Sequence, residues 1–418
     1  MTRKLIVSSF VVAGISTAVF CSPRSSEGEP AAHPSTAVGQ RGEGVPDFWI
    51  RPGFKVSLVA ELRNARFMEF DDKGTLYVSQ PDLGTISTFK NQGGKYTKIG
   101  EFTTGHRTVH GMHFYNGWLW FTESGAIFKG RDTNGDGKAD ETVTVLDNLP
   151  KGGHWWRPIF VTPNGFFTSI GDSGNINDET NTDRQKVWFY SLDGKTRKLW
   201  ASGLRNTEKY RYRPGTTELY GADHGSDWFG KPIGDANGKQ PVTDLNPPCE
   251  FNLYVEGGFY GHPFITGNKV PRIEFQNRPD IIDLADKTIV PAWSFGGHYA
   301  PNGFCFMSKN GLGTDLVGDA LVAHHGSWNS LKKVGYQVER VCFDKVTALL
   351  EARGHTVWFD GEKINSGDEW RRRITEGILN SDGAVAFLSK HSVRDPGVCL
   401  NEIAIALAEK GDEALVTV

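Results

Sequence analysis

Residues 318–344 read GDALVAHHGSWNSLKKVGYQVERVCFD, and residues 345–378 read KVTALLEARGHTVWFDGEKINSGDEWRRRITEGI. The first stretch alternates short apolar runs with Gly and Asn turn signals, the pattern of strand, turn and strand. The second gives an amphipathic helix ended by Gly354, a short apolar strand, a polar loop and another helix. Two periodicities that belong to different fold classes therefore meet at about Asp344, and each side must be read separately.

Upstream of the join, FKVSLVAEL (54–62), RFMEFDDKGTLYVSQ (66–80), HGMHFYNGWLWFTESGAIFKG (110–130), PIFVTPNGFFTSIGD (158–172) and QKVWFYSLDGKTRKLWASG (185–203) repeat one theme. Each alternates apolar and polar residues around a DDKG, YNG, PNG or LDG turn, which predicts antiparallel hairpins. The theme returns about every 45 to 60 residues, the spacing of four-stranded propeller blades, with a β-sandwich as the weaker alternative. Downstream of the join, HTVWFD (355–360), AVAFLS (384–389) and EALVTV (413–418) alternate with helical segments, which predicts a parallel sheet covered by helices.

The chain has 418 residues, a formal net charge of -3, 50 Gly and 12 Trp. The near-neutral charge argues against a nucleic-acid partner, and the Gly and Trp content suits tight turns between aromatic strands. Arg3 and Lys4 precede an apolar run from Leu5 to Phe20 and a polar Ser/Pro/Glu-rich stretch to Gly44. That run is too short to span a bilayer and has the form of a signal peptide, so residues 1–21 are read as a leader and 22–44 as a linker. Bulky Phe20 before Cys21 disfavours lipidation. Cys249, Cys305, Cys342 and Cys399 form no CxxC pair and are expected to be buried free thiols.

The residues with chemistry fall between the predicted strands. His154 stands at a strand entry, where a neutral imidazole can take a proton from an alcohol. Arg205 and Asn206 end the GLRN turn (203–206), where a guanidinium can clamp an anionic or quinone oxygen. YGADHGSDWFG (220–230) and LNPPCEFNLYVEGGFYGHP (245–263) mix acidic side chains with Gly turns, a composition suited to a hard cation. Asp132, Asn134, Asp136 and Asp140 form a D-x-N-x-D-G-x-x-D loop with oxygens at alternate positions, a second cation candidate; Val143 replaces the Glu of an EF-hand.

In this order, from His154 through GDSGN, GLRN, ADHG, E-x-N and GGFYGHP to HHGSWN, the residues resemble the soluble quinoprotein glucose and sorbosone dehydrogenases. That resemblance covers 45–344 and implies a six-bladed β-propeller, incomplete here, that oxidises a sugar with pyrroloquinoline quinone (PQQ) and calcium. It implies that His154 is the base and that Arg205 and Asn206 contact quinone and sugar. It also gives the main chain of Gly225 and Ser226 to the cofactor's calcium, and places Glu250 and Asn252 beside that turn and a structural calcium. An electron acceptor is the implied partner. Trp155 and Trp156 stand where small residues are usual and are expected to narrow the sugar's approach.

Residues 345–418 resemble a Toll/interleukin-1 receptor (TIR) domain, on VW-x-D (357–360), V-x-F-L-S (385–389) and C-x-x-E-I (399–403). This resemblance implies a partial flavodoxin-like α/β fold and TIR–TIR self-association. It makes Asp360 to Trp370 the BB loop and Glu402 the residue that would cleave NAD+ at its nicotinamide bond; adaptor members lack that activity. No segment just before Val346 supplies the opening strand of such a domain. The leader implies export, whereas NAD-consuming TIR domains work in the cytosol. Three functions are therefore expected as alternatives: a PQQ sugar dehydrogenase, a TIR signalling protein or NAD+ hydrolase, and an inactive fusion of two truncated genes.

Overall fold

The computed structural model describes residues 4–8, 40–41, 49–50, 54–230, 242–308, 312, 316–327, 330–343, 356–359, 383–386 and 415–417. They separate into two compact units, one formed by 25–339 and the other by 1–24 together with 340–418. Among the described residues no helix is long and apolar enough to cross a membrane.

The larger unit is a propeller with five blades among the described residues. Blade one is the antiparallel sheet Met68–Phe70, Leu76–Gln80, Thr85–Gln92 and Lys95–Thr103. Its first turn closes as the DDKG pattern predicts, because Asp71 Oδ1 accepts from the N–H groups of Lys73 and Thr75 and Gly74 takes a φ of 82°. Blade two comprises Met112–Tyr115, Trp118–Glu123, Ala126–Arg131 and Glu141–Leu146. Blade three comprises Ile159–Thr162, Gly165–Ile170, Lys186–Tyr190 and Arg197–Ser202, extended by a parallel Gly258–Phe259. Blade four pairs Thr207–Tyr212, Leu219–Asp223, Pro248–Tyr254 and Trp293–Gly297, and blade five Pro301–Phe306, Ala320–His324 and Val338–Val341. The sixth blade that the resemblance implies is not among the described residues.

Alternation along the strands puts one row of side chains into each gap between blades. Tyr77, Ile86 and Phe102 of blade one meet Met112, Leu119 and Phe121 of blade two. Trp120 and Ile127 meet Ile159 and Phe166 across the next gap, and Phe167 and Val187 meet Tyr210 and Leu219 across the third. Phe304 of blade five stands edge-on to Phe251 of blade four, ring centroids 4.8 Å apart. First strands of successive blades lie against one another, so the loops entering them converge on the propeller axis. Those loops carry Arg66, His110, His154 to Trp156, Arg205 to Asn206 and His298 to Ala300.

The thiol expectation needs correction. Cys249 is free and buried, but Cys305 is free and exposed and Cys342 is disulfide-bonded; Cys399 lies outside the described residues. Cys305 pairs with Leu321 in register, one step off the Phe304–Val322 pair that faces blade four, so its side chain takes the opposite face.

In the smaller unit four parallel strands run in the order Thr356–Phe359, Lys4–Ser8, Gly383–Ala386 and Leu415–Thr417. The opening strand that is missing before Val346 is thus filled from the N-terminus, by part of the apolar run read as a leader. The helices expected in this unit, the loop from Asp360 to Trp370 and Glu402 lie outside the described residues.

Candidate functional site

A cavity of about 240 Å³ opens where the entry loops converge, walled by Arg66, His154, Arg205, His224, Cys249 and Asn302 among others. His154 is fixed by Asp172: its N–H bonds to the Asp172 carbonyl at 2.9 Å, and its ring Nδ1 lies 2.8 Å from the same oxygen. A carbonyl only accepts, so Nδ1 carries the proton and Nε2 keeps its lone pair. Burial, with the Arg205 charge second, pushes His154 down to about 3, which leaves the ring neutral at physiological pH. Gly171 makes room for it, since a Cβ there would stand 2.7 Å from the His154 Cβ and 2.9 Å from the Arg205 carbonyl.

Asp172 is itself buried, and its carboxylate accepts from Gly174 N, Asn177 N, Gln185 Nε2 and His262 Nε2 at 2.7 to 3.0 Å. Burial raises its pKa, but these bonds, His262 foremost, hold it at about 2. His154 is therefore anchored to the main chain of a residue whose ionised carboxylate is itself fixed by four hydrogen bonds.

Arg205 is on the same wall, and Asn206 stands against His224, which also lines it. The Arg205 guanidinium donates to Asn175 O at 3.0 Å, Gly225 O at 2.9 Å and Asn175 Oδ1 at 2.7 Å, with Asp227 at 3.6 Å. Asn206 is buried; its Nδ2 donates to Glu208 Oε1 at 2.7 Å and approaches His224 Nδ1 at 3.3 Å, while its Oδ1 has no partner among the described residues. His224 Nε2 lies 3.1 Å from Asn302 Oδ1, and burial pushes that ring down to about 4. His224 is consequently a neutral ring that receives from Asn206 and donates to Asn302.

The residues expected around calcium divide. Gly225 sits on the wall of this cavity and, with Ser226, on that of a small chamber of about 20 Å³. The Gly225 carbonyl already accepts from Arg205, and Ser226 Oγ accepts from Arg272 at 2.7 Å. Glu250 faces the chamber, accepting from Gly267 N at 3.0 Å and Asn252 Nδ2 at 3.1 Å, and burial raises it to about 7. Asp132, Asn134, Asp136 and Asp140 lie apart, in the exposed loop between the last two strands of blade two. There the loop's own groups serve them: Asp132 accepts from Gly135 N and Gly137 N, and Asp140 from Thr133 and Asn134. Among the described residues no group of three or more His, Cys, Asp or Glu side chains has metal-holding geometry.

Sequence reasoning missed Arg66, His110, His224 and Asn302. His224 lies inside the quoted ADHG, whereas Arg66 follows no motif and is revealed only when blade one's entry loop reaches the axis. Trp156 packs face-near to His110, centroids 4.6 Å apart, with the Arg66 guanidinium 4.7 Å above its ring and Trp155 at 3.6 Å. This pair of indoles therefore belongs to the wall that holds Arg66.

The site fits a planar, multiply anionic quinone: a concave cavity with the charges of Arg66 and Arg205, a neutral base and, among the described residues, no hydrogen-bond partner for Arg66 Nε. For calcium it offers the Asp227 carboxylate and main-chain carbonyls, of which that of Gly225 is already engaged by Arg205.

The chain is similar to known proteins in the same region. A curated protein of Borreliella burgdorferi, itself uncharacterized, is 24% identical over 353 residues, 80% of this chain and 86% of the relative. The calcium structure of a Trichoderma reesei carbohydrate-active enzyme of family AA12 matches with a TM-score of 0.57 at 18% identity, covering 68% of this chain and 78% of that one. The holo form of the PQQ domain of pyranose dehydrogenase from Coprinopsis cinerea matches with a TM-score of 0.60 at 18% identity, covering 72% and 81%. At such identity these likenesses establish the propeller fold. A TIR-domain family model matches residues 337–418, and the TrAA12-like model matches 48–356. With that match spanning most of its length, the chain belongs to the TrAA12-like family and carries a TIR-domain region at its C-terminal end.

Proposed function

We propose that the propeller unit oxidises an aldose or related sugar with PQQ as the electron acceptor in the cavity, and passes the electrons to an external acceptor. The observation that carries this reading is His154: a neutral imidazole in a cationic cavity, with Nδ1 tied to Asp172 O and Nε2 free. When bound, PQQ would supply the two-electron acceptor for the hydride from the sugar carbon. The protein's part is to place the sugar hydroxyl against His154 Nε2 and take its proton there. Nδ1–H to Asp172 holds the ring plane throughout, and the positive charge that develops on the ring is met by the Asp172 main chain and its ionised carboxylate. The calcium structure of the family AA12 enzyme supports calcium beside the quinone; Gly225 and Ser226 are the positions that would face it. An exported or periplasmic enzyme follows from the leader reading of the apolar run at the N-terminus, whereas retention of that run as the strand Lys4–Ser8 would go with the cytosol.

The test is dye reduction by purified protein supplied with PQQ, calcium and a panel of aldoses. Activity is expected, and His154→Gln should lower kcat by about 10²- to 10⁴-fold, the usual worth of a positioned base. No reduction with any aldose would sink the proposal.

The TIR-domain match over 337–418 favours a second activity, NAD+ hydrolysis through Glu402 or signalling by TIR–TIR association, which would need the cytosol. NAD+ loss that persists unchanged in Glu402→Ala would remove the hydrolase version.

A further inference from the structure

The cavity wall holds two guanidinium groups whose surroundings differ. Arg205, 4% exposed, directs Nε and both terminal nitrogens to protein acceptors within 3.0 Å, so its fork is closed on Asn175 and Gly225. Arg66 has no hydrogen-bond acceptor for its buried Nε among the described residues. Its nearest anion is Glu208, 3.9 Å from a terminal nitrogen, too far for a hydrogen bond. Glu208 is held back from it, since Oε1 receives Asn206 Nδ2 at 2.7 Å and Oε2 lies 2.8 Å from His110 Nε2. That carboxylate is fully buried and ionised: burial raises its pKa, but the His110 ring beside it, and after it His224 and Arg66, hold it at about 2. It balances the Arg66 charge without occupying its donors. Trp156 beneath the guanidinium, 4.7 Å from its centroid, fixes the plane of the fork.

We propose that Arg66 is the guanidinium through which this cavity binds an anionic ligand group, and that Arg205 is a structural tie of the wall. A planar fork with free donors takes a carboxylate in a bidentate manner. On the quinone reading above, the ligand group is a carboxylate of PQQ; the inference rests on that reading for the ligand's identity, and on Arg66 alone for the anion chemistry.

Two probes separate these. PQQ carries both quinone and carboxylates, and pyridine-2,6-dicarboxylate carries carboxylates without the quinone. Binding of each is measured at equilibrium, at low and moderate salt, to the full chain, to Arg66→Met and to Arg66→Lys. The Met variant keeps an apolar stem on Trp156, and the Lys variant keeps charge without the fork. The expected result is binding of both probes by the unaltered chain, at least tenfold weaker binding and a flatter salt dependence in Arg66→Met, and partial recovery in Arg66→Lys. If the Met variant does not fold, the Lys variant decides, because loss of the fork alone must weaken both probes. Unchanged affinities in the variants overturn the inference, and so does an unaltered chain that binds neither probe. Binding of the dicarboxylate through Arg66 without binding of PQQ supports the inference and removes the quinone reading.

Discussion

His154 is kept neutral, as the proposed role of base requires. Burial and the adjacent Arg205 depress its pKa to about 3, so the ring is unprotonated at every pH above about 4. The acid limb of kcat/KM for sugar oxidation is expected well below the ordinary histidine value of about 6.5. The same shifts act on stability. Burial depresses His110, and pushes His224 and His262 each to about 4. Below about 6.5 the unfolded chain takes up these protons and the fold does not, so stability falls as pH drops from about 6.5 towards 4. Asp223 and Glu250, raised by burial to about 6 and 7, work against this, because the fold keeps protons that the unfolded chain releases above about 4.3. Four histidines outweigh two acids, so the melting temperature should rise with pH over that window and level off near 7. A melting temperature that peaks near pH 4.5, or an acid limb at 6.5, would show that these rings are solvated. Of the residues involved, His154, Arg205 and Asn206 were legible as motif residues at strand entries, whereas the engagement of the Arg205 donors and the openness of Arg66 depend on neighbours 20 to 142 positions away.

At the scale of elements, the hairpins were legible because their turn chemistry is local. Asn116 and Gly117 take φ values of 50° and 78° in the YNG turn, and Gly194 takes 73° in the LDG turn, the left-handed conformations these residue types supply cheaply. The sharp turn expected at Gly137 is present too, with a φ of 86°. Legibility ended where one local pattern has two uses. Lys4–Ser8 is an apolar run of the kind that opens a leader, and it is also what a strand with parallel neighbours on both sides looks like; composition cannot separate them. The loop from Asp132 to Asp140 is similar: carboxylates at alternate positions can wrap a cation or cap the turn's own N–H groups, and the caps that Asp132 and Asp140 make here are compatible with either use.

For the propeller unit, five blades leave two sheet faces without a neighbouring blade among the described residues. On blade one, Met68 and Phe70 pair with Val78 and Leu76 on the side away from blade two, and are 59% and 50% exposed. Ala60 and Leu62 pack over Leu76, Val78 and Phe89 but leave that first strand open. Blade five turns Cys305 outward and leaves Val338 67% exposed. Every other gap in the ring buries apolar side chains from both sides, so these two faces are the places where an added hydrophobic surface would gain most and where polar substitution should cost least. Met68→Thr with Phe70→Ser is therefore expected to change stability by no more than about 0.5 kcal/mol per site, whereas Phe67→Ala, in the buried gap between blades one and two, should cost about 3 to 5 kcal/mol. The double variant should also bind less of a hydrophobic dye and self-associate less. Cys305 should react with a thiol reagent in the native protein while Cys249 does not. If Met68 and Phe70 substitution destabilised the protein as much as Phe67→Ala, those faces would have to be covered in solution, and the propeller would be closed by chain beyond its five described blades.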